Sequence, residues 1–130
     1  EGTRTSEDAA RQLGCDVSKI AKSIVFEGQD MAIVVITSGS NRVDRKKKLK
    51  KILGYKPGQA SPEYVLKSTG FAVGGVPPFG HLKETIKIID EDLFKYDLIW
   101  GAGGTAETVF PITPEELKRI SKAEVRDVKQ

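Results

Sequence analysis

Few side chains in this sequence can do covalent chemistry. There is one cysteine, Cys15, one histidine, His81, and a set of lysines of which Lys22 stands out of pattern. Residues 20–26 alternate with a period of two, so Ile20, Lys22, Ile24 and Phe26 share one face of a predicted strand and Ala21, Ser23 and Val25 the other. A lysine on an apolar face either snorkels from the strand end or points its ammonium into a pocket, toward an anion or an oxygen-rich ligand. A Ser-His-Asp triad would have to rest on His81 alone, and Cys15, just past a predicted helix end, reads as an inert small residue.

Chemistry without a strong nucleophile needs fixed donors, and two glycine-rich stretches could supply them. In Thr69–His81 (TGFAVGGVPPFGH) the glycines Gly70, Gly74, Gly75 and Gly80 surround Pro77-Pro78. Glycine admits positive φ and close approach, while proline fixes φ and restricts its neighbour, so this reads as a stiff loop presenting the N–H groups of Gly74, Gly75 and Val76. Taken alone it would be a wide surface turn after a short strand, Phe71–Val73. A second loop, Gly101–Thr105 (GAGGT), again lies between apolar strands and offers Gly103 and Gly104. Thr3 and Thr5 precede a helix N-terminus, where unpaired backbone donors can hold an anion or a carbonyl. Ser38–Arg42 (SGSNR) closes an apolar strand with small polar residues, a common place for ligands.

Charge points to the partner. The net charge of +3 hides a run, Arg42–Lys56, with eight basic residues and one acid, Asp44; it carries +7 and leaves the rest at −4. This run is either a solvated helix face or a binding site for nucleic-acid phosphates, with Arg42, Arg45, Lys46, Lys47, Lys50 and Lys51 as the candidate contacts. One cysteine excludes an internal disulfide and fits a reducing cytoplasm, and one histidine with one cysteine excludes a Cys/His zinc cluster. No cofactor or metal is expected. No apolar run approaches the ~18 residues of a membrane span. The length of 130 residues and 38% hydrophobic content suit one domain.

The elements that must position these groups follow in order. Thr5-Ser6-Glu7-Asp8 resembles a capping box opening a helix with Ala9, Ala10 and Leu13 inward and Gly14 at its end. After the Lys22 strand, Met31–Thr37 is apolar throughout, like a strand buried on both faces. Asp44 caps a helix to about Leu53 with Leu49, Ile52 and Leu53 as its apolar stripe, and Gly54 ends it. Ser61-Pro62 opens another, with Tyr64, Val65 and Leu66 toward the core and Gly70 as its stop. Strands are predicted at Thr85–Ile89, Asp97–Trp100, Thr108–Ile112 and Glu124–Val128. Asp90-Glu91-Asp92 reads as an acidic turn and Thr113–Glu116 as a full capping box. The irregular alternation indicates a mixed α+β domain, not a doubly wound parallel one.

KSIVF around Lys22, SGSNRVD (Ser38–Asp44), STGFAVGGVPPFGH (Ser68–His81) and GAGG…TVFPITPEEL (Gly101–Leu117) together resemble the YbaK/prolyl-tRNA-synthetase-associated domain. That family contains trans-acting aminoacyl-tRNA deacylases. The resemblance implies a curled, partly open barrel-like mixed sheet with flanking helices. It implies Lys22 as the shared lysine that contacts the terminal phosphate or ribose, and Gly74…Pro78 as the family's G-x-x-x-P loop. It also implies a helix and strand before Thr3-Arg4-Thr5, which this sequence does not include.

The expected reaction is hydrolysis of a mischarged aminoacyl ester, Ala, Cys, Ser or Thr on tRNA-Pro or a related tRNA, with water activated by the substrate's 2′-hydroxyl. Lys22 and Gly75 are the candidate catalytic groups. Thr5, Ser38, Gly39, Asn41, Gly74, Val76, Pro78, His81, Gly103 and Gly104 are the candidate substrate-binding groups. A tRNA, and with it an aminoacyl-tRNA synthetase, is the expected partner of a cytoplasmic monomer or homodimer. The alternative is a tRNA- or synthetase-binding module of the same fold without activity.

Overall fold

The computed structural model describes residues 5–105 and 107–130. Thr3, a candidate anion-holding residue, lies outside them. Helix α1 (Ser6–Leu13) starts where the Thr5 hydroxyl accepts from the Asp8 N–H and stops at Gly14, whose φ of 70° closes the last turn. A single 3-10 turn, Val17–Lys19, leads into β1 (Ile20–Glu27), and β2 (Ile33–Ser38) follows.

Asp44 caps the cationic segment as expected, but its first part is wider than an α-helix. Arg45–Leu49 is π-helical, with the Leu49 N–H reaching Asp44 O at 3.0 Å, and only Lys50–Leu53 (α2) is α-helical. The segment is held by Leu49, which is fully buried. Burial of one such side chain contributes about 1.5–3 kcal/mol.

The short β3 (Gly58–Gln59) has no alternating pattern to announce it. Helix α3 (Pro62–Thr69) begins at the Ser61 cap and ends at Gly70. Of its predicted inward residues Val65 is buried and Tyr64 half-buried, whereas Leu66 is exposed. Then come β4 (Ile86–Asp90), β5 (Ile99–Ala102), β6 (Val109–Ile112), α4 (Pro114–Ser121) with the complete Thr113–Glu116 capping box, and β7 (Glu124–Arg126).

The strands form one mixed sheet in the order β6-β5-β1-β2-β4-β7, with β3 added to β1. It is open, with β6 and β7 at its edges. Each face carries its own core. Phe26, Ile33, Val35 and Ile88 meet Leu49 and Val128 on one side; Ala21, Val34, Ile36 and Ile89 meet Leu93, Ile99, Ile112 and Leu117 on the other. The period of two read from residues 20–26 divides Ala21 and Val25 in one core from Ile24 and Phe26 in the other, and β2, read as buried on both faces, is buried along its whole length.

Three local expectations need correction. Phe71–Val73 is no strand: Gly74, at φ 91°, turns the chain and the Gly75 N–H closes onto Ala72 O at 3.0 Å. Asp90-Glu91-Asp92 is no simple turn; Asp90 caps a 3-10 helix, Glu91–Lys95, through its side chain. The predicted strand Asp97–Trp100 lies further on, at β5, so Gly101 and Ala102 belong to the sheet and the turn begins at Gly103.

Candidate functional site

One edge of β1 is only partly paired. Ile20 and Ala21 pair with β5, Phe26 and Glu27 pair with β3, and Lys22–Val25 have no strand beside them on that edge. The glycine-proline loop fills this gap. Both of its ends are pinned at the C-terminus of α3, where the Leu82 N–H donates to Thr69 O (2.9 Å) and the Lys83 N–H to Ser68 O (3.1 Å). Gly75, Val76, Pro77 and Pro78 are buried, so the loop is packed and not a free surface turn.

Two adjoining cavities lie between the loop and the strand edge and share Ser23, Ile24, Val73, Gly74 and Val76 as their common wall. The first, about 340 Å³, runs from Ser23–Phe26 to Val65 and Gln59. The second, about 230 Å³, is bounded by Lys22, Thr5 and Ser6 on one side and by Ala102, Thr108 and Val109 on the other. The Lys22 side chain is half-buried and has no hydrogen-bond or ion-pair partner among the described residues. A cation, apolar walls and backbone donors in one recess can hold an anionic or oxygen-rich group and shield a polar reaction from bulk water.

The two glycine-rich loops meet, although residues 82–100 separate them along the chain. A β-carbon placed on Gly101 would stand 3.6 Å from Pro78 Cδ, and one on Gly104 (φ 110°) would stand 3.3 Å from the Phe71 ring. Behind the loop, the Nε2 of His81 is 2.7 Å from Pro77 O and its Nδ1 is 2.9 Å from the Thr85 hydroxyl. Burial pushes the His81 imidazolium toward its neutral form; the contact with Pro77 opposes this, and the Lys87 ammonium adds a smaller push in the same direction as burial.

The sequence candidates thus divide. Lys22, Thr5, Gly74 and Val76 line the cavities. Gly75 and Pro78 support the loop from behind, and the Gly75 N–H is already engaged. His81 has both ring nitrogens occupied by protein. Gly103 closes a turn with Thr108 O (2.9 Å), and neither it nor Gly104 reaches the lining.

Ser38, Gly39 and Asn41 sit elsewhere. Asp90 is fully buried and accepts from the Thr37 hydroxyl (2.7 Å), the Ser38 N–H (3.2 Å) and the Asn41 amide (2.8 Å). Asn41 also reaches Asp92, which the Lys129 ammonium and Asn41 together hold at about 2. Gly39 packs so closely that a β-carbon there would come 2.6 Å from Val17 O.

In the cationic segment Arg45 donates to Pro57 O and Lys48 pairs with Asp127, while Lys46, Lys47, Lys50 and Lys51 are exposed. Sequence reasoning missed Val65, Val73 and Thr108 in the lining. Val65 read as core, Val73 as strand, and Thr108 as the start of β6; only the tertiary gap in β1 turns them into a wall.

Residues 1–120 match the aminoacyl-tRNA editing domain, and the chain belongs to that family. It is 34% identical over 122 residues to the protein YwhH of Bacillus subtilis, covering 93% of this chain and 77% of that one. A proline–tRNA ligase of Thermosipho melanesiensis is 35% identical over 102 residues, 78% of this chain but only 18% of the ligase. Among solved structures, a candidate trans-editing enzyme for prolyl-tRNA synthetase superposes with a TM-score of 0.93 at 44% identity, over 98% of this chain and 81% of that one. The mixed α+β fold is the one that neighbour has.

Proposed function

We propose that this protein hydrolyses the ester of a mischarged aminoacyl-tRNA in trans, taking a small amino acid (Ala, Cys, Ser or Thr) from tRNA-Pro or a related tRNA. The observation that carries this reading is the unpartnered Lys22 ammonium in a cavity walled by Gly74 and Val76. An aminoacyl ester is already activated, so its hydrolysis needs positioning and charge stabilisation more than a protein nucleophile. Lys22 holds the terminal phosphate or ribose. A water, activated by the neighbouring 2′-hydroxyl, adds to the ester carbonyl. The carbon–oxygen bond to the ribose then breaks, and the ribose oxygen leaves with a proton.

The Gly75 N–H is used to close the turn onto Ala72 O, and the adjoining Gly74 and Val76 N–H groups, which have no partner among the described residues, are the donors for the developing oxyanion. Discrimination by a synthetase among small apolar side chains yields only ~1–3 kcal/mol per methylene, which is why a second pocket has work to do. Val65, Val73 and Val76 would form its wall, admitting small groups and refusing larger ones.

The test is deacylation of a panel of correctly and incorrectly charged tRNAs. Turnover of a small amino acid on tRNA-Pro, with correct prolyl-tRNA spared, is the expected result. Binding of tRNA without any hydrolysis would instead support the non-catalytic module.

A further inference from the structure

On the far side of the Lys22 side chain lies a separate groove of about 300 Å³, lined by Lys22, Ile24, Phe26, Arg42, Val43 and Gln130. Lys22 and Ile24 therefore belong both to this groove and to the cavity beside the glycine loop. Two cations line the groove, and no Asp or Glu side chain does. Neither the Lys22 nor the Arg42 side chain has a hydrogen-bond or ion-pair partner among the described residues.

The floor of the groove is continuous with the base of the cationic segment. Ile24, Phe26 and Val43 pack in the same apolar cluster as Leu49 and Ile52. Lys46, Lys47, Lys50 and Lys51 are exposed on that segment, which begins three residues after Arg42. The acids nearby do not cancel this field: Asp127 is paired with Lys48, Asp92 with Lys129, and Asp44 is spent on its N-cap.

We propose that this groove is the exit path of the RNA. The unpaired 3′-terminal strand runs from the cavity past Lys22 and Arg42, its phosphates facing both cations, and on to the cationic segment. The groove is too small for a duplex, so the strand crossing it is single. This rests on the reading of the cavity as the site for an aminoacylated RNA end, and it fixes the side of the protein on which the rest of the RNA must lie. Lys22 then contacts the strand at the point where it enters the cavity.

The test is equilibrium binding of a labelled single-stranded RNA hexamer ending in CCA, measured over a range of salt concentrations with the full chain. For single strands log K falls with log[salt] by about 0.7 per phosphate contact. Arg42→Gln should flatten that slope by about 0.7, and Arg42→Gln with Lys22→Gln by about 1.4. Lys118→Gln, an exposed cation on α4 against the opposite core, should leave the slope unchanged. The proposal is overturned if the hexamer does not bind, if Arg42→Gln leaves the slope as it was, or if Lys118→Gln lowers it equally. Binding does not require turnover. A protein that shows this pattern but deacylates no tRNA keeps the exit path and loses the hydrolase reading; one that deacylates without the pattern does the reverse.

Discussion

His81 donates through Nε2 to the carbonyl of Pro77 at 2.7 Å. A carbonyl can only accept, so Nε2 carries the hydrogen and Nδ1 accepts from the Thr85 hydroxyl at 2.9 Å. The only imidazole in the sequence therefore ties the proline end of the loop to the start of β4, and acts on the cavity through the loop's position.

His81→Ala removes two net hydrogen bonds at about 0.5–1.5 kcal/mol each, so a loss of roughly 1–3 kcal/mol is expected in chemical denaturation. A loop set free should also lower kcat/KM by about 10- to 100-fold. The sign of the pH effect follows from the lowered proton affinity of the folded imidazole. Its contribution is complete above the ordinary value of 6.5 and is lost as pH falls through the lower folded value. The stability gap between wild type and variant should narrow from pH 7.5 to pH 5. A gap that stays constant, or widens in acid, would contradict the clamp.

Asn41 is expected to be a stability residue. Its amide donates to two carboxylates, Asp90 at 2.8 Å and Asp92 at 3.0 Å. Hydrogen bonds to charged groups contribute about 1.5–3 kcal/mol, so Asn41→Ala should cost about 2–3 kcal/mol with KM unmoved. The Asp92 carboxyl, held at about 2, should titrate higher in that variant, which an NMR titration would read. A raised KM with unchanged stability would return Asn41 to the substrate.

Ser23 Oγ is buried with no hydrogen-bond partner among the described residues, on the unpaired stretch of β1. An unsatisfied buried hydroxyl costs about 1–3 kcal/mol, so Ser23→Ala should be neutral or stabilising by up to ~1 kcal/mol. A loss greater than ~1 kcal/mol in denaturation would show that the hydroxyl has a partner.

Local signals in the sequence were strong where one residue decides an outcome. Thr5, Asp44, Ser61 and Thr113 mark helix starts because their oxygens accept from the first free N–H groups, and each does so. Lys22 was legible because a cation interrupts an apolar face. What escaped was tertiary. Nothing in residues 20–27 says that two different strands share one edge of β1 and leave Lys22–Val25 open. Ser38–Arg42 has the composition of a ligand loop, but its Ser38 N–H and Asn41 amide are taken by Asp90, a partner some 50 residues away that the sequence places only in an acidic turn. The Gly75 N–H was similarly expected to be free, and a single turn bond to Ala72 takes it.

The claim on which the rest depends is that the Lys22 ammonium anchors the substrate in the cavity. The direct measurement is single-turnover deacylation of a mischarged tRNA by wild type and by Lys22→Ala, with thermal unfolding of both. Removing one preorganised charge from such a site costs at least about 100-fold in rate. The prediction is a loss of that size or greater with the melting temperature essentially unchanged. Near-normal turnover by a folded Lys22→Ala protein would contradict it.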